Sequence, residues 1–248
     1  MSGAWTIYRR ELSGLFLSPL AWVLLCIALA FNGFFFVLSV QGLGGDVLQS
    51  MSFLLGGSYT FWMLVVLLPP LLTMRMFSEE ARTGVLEFLL TAPVTDFAVV
   101  LGKLLAATTL MAVLWSSAFV YGLALAALGA PPDWAPLVSG VCGATLVSAL
   151  FCAVGLAVSA MSNTPLLAAF FATIANAAIL SLPFLDALLA LPPGSPLRVA
   201  LGHANVITQF QASFVVGALD TKHVLFFLVW TGFFSFVATR VLEARRWW

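Results

Sequence analysis

Seven of the 20 charged residues of this chain lie between Arg75 and Lys103, with long uncharged stretches on both sides. Four of the seven are acids and three are bases, a mixture that suits ion pairs with another protein surface. Acidic residues contribute little to membrane topology, so a loop that only set orientation would be basic. We predict a docking surface whose residues are Glu79, Glu80, Arg82, Thr83, Gly84 and Glu87. The alternative is a solvated loop without a partner.

A short helix is predicted to carry this surface. Ser78 is a candidate N-cap, and Glu79 and Glu80 would lie in the first turn, where carboxylates favour the helix dipole. Pro93 would end the helix, which gives a predicted range of 78–92. Its apolar face is formed by Leu86, Leu89 and Leu90.

The composition excludes a soluble protein. The chain is 62% hydrophobic and 8% charged, and its mean hydropathy is +1.10, whereas soluble domains carry roughly 25% charged residues. The net charge is zero, which gives no reason to expect a nucleic-acid partner. The three cysteines are scattered through apolar stretches, so packing explains them better than a disulfide or a metal site.

Uncharged runs predict an all-α polytopic membrane protein with six transmembrane helices. The predicted spans are 20–41, 58–76, 98–129, 136–161, 165–185 and 223–242. Residues 2–18 form an amphipathic stripe, interpreted as an interfacial helix or as a simple topogenic flank. The polar stretch 186–222 is predicted to hold outer re-entrant helices, with a seventh span as the alternative.

Eight of the ten basic residues fall on the same side as the N-terminus in this topology. The exceptions, Arg198 and Lys222, lie in the long outer stretch. Because Lys and Arg concentrate in cytoplasmic loops, we predict that both termini are cytoplasmic.

The chain carries no chemistry of its own that could drive transport. It contains no GxxxxGK[ST] loop for nucleotide phosphates, and His203 and His223 are isolated. No charged residue lies in the middle of the five clear spans, so the usual group of an ion-coupled carrier is missing. Pro69 and Pro70 interrupt the second span, either as a plain kink or as a hinge.

The charged segment also carries a recognisable pattern, Glu79-Glu80-Ala81-Arg82-Thr83-Gly84-Val85-Leu86-Glu87-Phe88-Leu89-Leu90-Thr91-Ala92-Pro93. It resembles the first inner loop of ABC-2 type transporter permeases. The pair Gly102-Lys103, the outer stretch 210–220 and the tail 242–247 extend the likeness. The chain most resembles the gliding-motility-associated branch, and the nitrous-oxide-reductase maturation permease is a near relative. One departure is Gln211, where that branch suggests an acid.

The resemblance implies one permease domain, 1–248, that is not itself an enzyme. It implies ABC ATPase subunits that hold ATP and Mg, a second permease copy or a homologue, surrounding membrane lipid and an optional auxiliary membrane or periplasmic subunit. It also implies a cytoplasmic coupling helix, a bacterial inner membrane and an export function, with no catalytic, cofactor or metal residues in this chain. The alternatives are a membrane anchor or scaffold for a cytoplasmic complex, and a gradient-driven carrier.

Overall fold

The computed structural model describes residues 2–85, 94–188 and 195–245, and every regular element within them is helical. The prediction of an all-α membrane protein is confirmed. The elements are α1 (Ser2–Leu17), α2 (Pro19–Gly42), α3 (Val47–Ser52), a π-helix (Phe53–Gly57), α4 (Tyr59–Thr83), α5 (Asp96–Ala127), α6 (Trp134–Met161), α7 (Pro165–Leu188), α8 (Pro196–Ala204), α9 (Val206–Gln211) and α10 (Thr221–Arg245).

Six helical segments of the described chain are long and apolar enough to cross a membrane, as predicted. They are α2, the α3–α4 unit, α5, α6, the first 18 residues of α7 and α10. Because six crossings return the chain to its starting side, α1 and the end of α10 belong to one end of the bundle. Arg245 at the end of α10 donates to the carbonyl of Ser162 (3.3 Å) and to Asn163 Oδ1 (3.1 Å) between α6 and α7. We refer to this as the N-terminal end and to the other as the opposite end.

The second span is longer than the sequence suggested. Its helix α4 continues through Ser78 to Thr83 and ends at Gly84, whose φ of 76° is left-handed. Ser78 is therefore not an N-cap: it is buried inside α4, and its hydroxyl donates to the carbonyl of Met74 one turn earlier. The helix predicted over 78–92 thus begins inside α4, and its residues 86–92 lie outside the described part of the chain, as does Pro93.

Pro69 and Pro70 are buried within α4. Neither can donate a backbone hydrogen bond to the preceding turn, so α4 is less constrained here than elsewhere. Thr73 donates its hydroxyl to the carbonyl of Pro69 at 2.8 Å, and Gly155 of α6 packs so close that any side chain there would overlap Thr73. The prolines therefore lie at a close contact between α4 and α6, while their role as a hinge stays a prediction.

Helix α6 forms the centre of the bundle and packs against α4, α5, α7 and α10. Small residues permit this, since close approach of helix backbones in a membrane requires little side-chain volume. Leu55 lies against Gly140, where an added Cβ would come within 2.9 Å of it, and Phe214 occupies the equivalent space at Gly143. Two of the residues packed on α6 therefore come from segments at the opposite end.

The opposite end is built around the backbone carbonyl of Gly56. Trp62 Nε1 donates to this oxygen at 3.0 Å and Gln211 Nε2 at 3.2 Å. An ionised carboxylate has no proton to donate, which accounts for glutamine at position 211. The stretch predicted as 186–222 contains α8 and α9, which have 9 and 6 residues and are too short to span a membrane.

We expect Gly56→Ala to destabilise the protein more than Gly45→Ala. Both glycines have a positive φ, 111° and 86°, which penalises a side chain by roughly 1–2 kcal/mol. A Cβ at Gly45 meets open space, whereas one at Gly56 overlaps the ring of Phe210 and adds about 1–3 kcal/mol. The thermal unfolding midpoints of the purified variants measure the difference. Equal midpoints would show that Phe210 is not seated against Gly56.

Candidate functional site

Helix α1 packs tightly against the first half of α5, at the N-terminal end of the bundle. The contact is centred on Gly102, where an added Cβ would lie 2.9 Å from the carbonyl oxygen of Ala4 and 2.8 Å from Ile7. Tyr8 and Thr109 share a hydrogen bond of 3.3 Å between their hydroxyl groups. The sequence pair Gly102-Lys103 thus has two roles at this contact. Gly102 leaves room for α1 to approach, and Lys103 binds Glu11 of α1.

Lys103 is fully buried, with 0% of its side chain exposed. Its ammonium group donates to Glu11 Oε1 of α1 at 3.0 Å, to Glu80 Oε1 of α4 at 2.9 Å and to the carbonyl of Met76 at 2.8 Å. It also lies 5.0 Å from the ring centre of Phe77. All three protons of the ammonium therefore have acceptors, and one cation joins α1, α4 and α5.

Arg10 extends this arrangement to the surface. Its guanidinium donates to Glu11 Oε1 at 2.6 Å and to Glu80 Oε1 at 3.3 Å. We call Arg10, Glu11, Glu80 and Lys103 the Lys103 network. Two cations balance two carboxylates within it, as a poorly solvated site requires.

The charges of the network shift the pKa values of Glu11 and Arg10. Burial alone would raise the pKa of Glu11, but the charges and hydrogen bonds of Lys103 and Arg10 outweigh burial and leave that pKa below its usual value. The hydrogen bond to Glu11 raises the pKa of Arg10. Because the folded state lowers the pKa of Glu11, its stabilising contribution is present above the ordinary carboxyl pKa and is lost only as pH falls through the lowered value.

The C-terminal end of α4, which carries Glu80, is also held by α6. The hydroxyl of Ser159 accepts from the backbone nitrogens of Phe77 and Ser78, both at 3.3 Å, and donates to the carbonyl of Met74 at 3.0 Å. The last two turns of α4 are therefore bound to α1, α5 and α6. A displacement of this segment would act on all three helices.

The outward face of this segment carries several of the predicted docking residues. Glu79 Oε2 lies 3.7 Å from Arg75 Nε, and Glu79 Oε1 lies 3.6 Å from Arg82 Nη2. All three side chains are at least 40% exposed. Thr83 donates to the carbonyl of Glu79 at 2.9 Å, and Gly84 ends the helix. These residues form a compact polar surface on a helix that continues into the membrane.

The structure thus brings together Glu79, Arg82, Thr83 and Gly84 but turns Glu80 inward. Glu87 lies outside the described residues. The hinge candidates Pro69 and Pro70 lie between about two and a half and three turns before Glu79 on the same helix.

The sequence model of the ABC-2 family transporter proteins matches residues 47–192, more than half of the chain. The chain belongs to this family. A sequence search finds no matching curated protein. Membership makes the chain a membrane permease component of an ABC transporter, and it implies a partnership with an ABC ATPase. Members of the family are transport components that are generally not catalysts.

The ABC-2 match includes the end of α4 and Lys103, whereas Arg10 and Glu11 precede it. The Lys103 network is the part of the site that the sequence analysis missed. From the sequence, Lys103 and Arg10 counted among the basic residues that indicate orientation, and Glu11 had no assigned role. The sequence did carry a signal for this network, because Lys103 directly precedes a long uncharged run. If its helix is buried at this point, the lysine requires a carboxylate partner. The identity of that acid depends on how the helices pack.

We expect Lys103→Met to destabilise this permease by about 3 kcal/mol, because it leaves Glu11 and Glu80 unpaired in a poorly solvated site. The triple variant Glu11→Gln, Glu80→Gln, Lys103→Met removes all three charges and should recover most of the loss. Thermal unfolding midpoints in detergent test this. Lys222→Met is the matched control, because Lys222 is exposed and surface changes usually stay within about 0.5 kcal/mol. A Lys103→Met variant as stable as the control would contradict the network.

We expect Gly102→Ala to displace α1, since the new methyl group would press on the backbone of Ala4. Limited proteolysis within α1 should become faster, and the midpoint of unfolding should fall by the equivalent of about 1–3 kcal/mol. Gly232→Ala in α10 is the matched control, because a Cβ there meets open space. Unchanged proteolysis of Gly102→Ala would show that α1 does not rest on α5 at this position.

Proposed function

We propose that this chain forms the membrane pathway of an ATP-driven exporter, and that separate ATPase subunits dock on the last turns of α4, at the N-terminal end of the bundle. The docking surface consists of Glu79, Arg82, Thr83 and Gly84, together with Glu87 beyond the described segment. Among these, Glu79 and Arg82 are half-exposed and form a polar pair that a partner can reach. The termini are proposed to face the cytoplasm of a bacterial cell.

The observation that supports this proposal best is the continuity of α4. A single helix joins the exposed polar surface to the buried membrane segment, without a loop between them. A helix transmits displacement along its axis, because its hydrogen-bonded backbone resists compression. A partner that pushed on Glu79 and Arg82 would therefore directly move the half of α4 between this surface and Pro69 and Pro70.

The Lys103 network gives Glu80 a role distinct from docking. Glu80 binds Lys103 and Arg10, so it would pass a movement of α4 to α1 and α5. We therefore propose docking through Glu79 and Arg82 and internal transmission through Glu80. Bending at Pro69 and Pro70, between this surface and the opposite end, would let the two halves of α4 move separately.

The cargo is proposed to be amphipathic or lipid-like. An open apolar groove with a volume of about 400 Å³ lies between α4 and α7, and it is lined by Tyr59, Trp62, Met63, Leu180 and Phe184 among others. The volume falls within the range of small-molecule sites. Two permease copies, or this chain and a homologue, would form the complete pathway. The narrower likeness to gliding-motility permeases rests on the sequence motifs alone.

We expect reversal of the exposed pair, Glu79→Arg with Arg82→Glu, to weaken ATPase binding by at least about tenfold. The double variant keeps an intrahelical ion pair, so the stability of α4 should change little. The measurement is purification of tagged protein from its native membrane in mild detergent, with bound subunits identified by mass and ATPase activity assayed. Lys222→Glu at the opposite end is the control.

Three outcomes would contradict the proposal. Equal ATPase recovery with the double variant would exclude this docking surface. Capture of a cytoplasmic complex without ATPase activity would favour a scaffold. Transport that fails when the proton gradient is collapsed at constant ATP would favour a gradient-driven carrier.

A further inference from the structure

A groove of about 330 Å³ lies beside the Lys103 network, between α1, the start of α2 and the last turns of α4. Glu79 and Thr83 of the docking surface lie at its edge, and the proposed cargo path does not require it. It combines a polar wall and an apolar wall at the N-terminal end of the bundle. We call it the Arg75 groove.

The polar wall presents acceptors and one cation. Glu11, Glu79 and Glu80 line it together with Arg75. One oxygen of Glu80, Oε2, is buried and accepts no hydrogen bond from the described residues, although Oε1 is fully engaged by Lys103 and Arg10. A buried carboxylate oxygen without a donor is costly. Glu79 is 40% exposed, and its contacts with Arg75 and Arg82 are longer than hydrogen bonds. The wall therefore favours a ligand that brings N–H groups and positive charge to Glu79, next to Glu80.

Arg75 favours an anion on the same ligand. Its side chain is 54% exposed, and its distance of 3.7 Å from Glu79 is longer than a charge-assisted hydrogen bond. A guanidinium held this loosely can bind a phosphate, for which its geometry is suited. The groove therefore matches a zwitterion, with an ammonium near Glu79 and a phosphate near Arg75.

The other wall is apolar. Leu20 and Leu24 of α2 face Leu71 and Leu72 of α4 across the groove. These leucines belong to membrane-spanning helices, so an acyl chain could continue from the groove into the bilayer. The volume suits a head group and the first part of its chains, since small-molecule sites start at roughly 300 Å³.

We propose that the Arg75 groove binds a phospholipid whose head group combines a phosphate with a primary ammonium, as phosphatidylethanolamine does. Bound there, the lipid would bridge α1 and α2 to the last turns of α4. The proposal shares with the proposed function the placement of these helices in a bilayer. It does not depend on ATPase docking.

The test uses the delipidated full-length chain without ATPase, so it is independent of the docking experiment. Native mass spectrometry measures binding of phosphatidylethanolamine, phosphatidylcholine and phosphatidylglycerol with identical acyl chains. The choline head group has no N–H donors, and the glycerol head group has no cation. We expect phosphatidylethanolamine to bind about tenfold more tightly than either.

Two variants locate the site. Arg75→Gln removes the phosphate partner, and Leu71→Trp fills the apolar wall, so each should lower the affinity for phosphatidylethanolamine about tenfold. Leu105→Trp, at an exposed position of α5 away from the groove, is the matched control and should leave this affinity unchanged. Gel filtration verifies folding, and either variant alone suffices if the other does not fold.

Equal binding of the three lipids to the unaltered chain would overturn the proposal, because it would indicate only the general lipid shell. An unchanged affinity for phosphatidylethanolamine in a folded groove variant would place the lipid elsewhere. If the unaltered chain carries no ATPase when it is purified but prefers phosphatidylethanolamine, the proposed function is wrong and the lipid proposal is supported. If the unaltered chain carries the ATPase but binds the three lipids equally, the lipid proposal is wrong and the proposed function is unaffected.

Discussion

A lysine ammonium with no exposure to solvent has to be neutralised, and this requirement organises the N-terminal end of the molecule. Lys103 meets it with Glu11 from α1 and Glu80 from α4, two residues that lie 92 and 23 positions away in sequence. The three helices are therefore held by one charge, and none can withdraw without leaving a charged group unpaired. Gly102 completes the constraint by letting α1 approach closely enough for Glu11 to reach the ammonium.

The last turns of α4 have two sides with different surroundings. The outward side exposes Glu79 and Arg82. The inward side uses Glu80, Phe77 and the carbonyl of Met76 to hold Lys103. Because both sides belong to one continuous helix, a force on the outward side would be transmitted to the inward side through the backbone of α4.

The sequence predicted the number and type of the spans because long uncharged runs report directly on the membrane. It did not predict that α4 continues past Ser78, because a serine before two glutamates is also a good N-cap and only packing decides between the two. The partners of Lys103 were equally hidden, since helical periodicity shows which residues share a face and not which faces meet. At the opposite end, Gln211 looked like a departure from a pattern, and its bond to Gly56 became visible only in three dimensions.

The most direct test of this arrangement is a spin-label distance between α1 and the end of α4, measured in the complex with its ATPase. Ser13 and Thr83 are exposed positions on these helices, and labelled protein should first be shown to retain the ATPase. If the Lys103 network joins α1 and α4 into one unit, the distance distribution will be narrow and will not change when ATP binds. In Lys103→Met it should broaden. A shift of several ångströms on ATP binding in the unaltered protein, with the network intact, would contradict the view that the two helices move together.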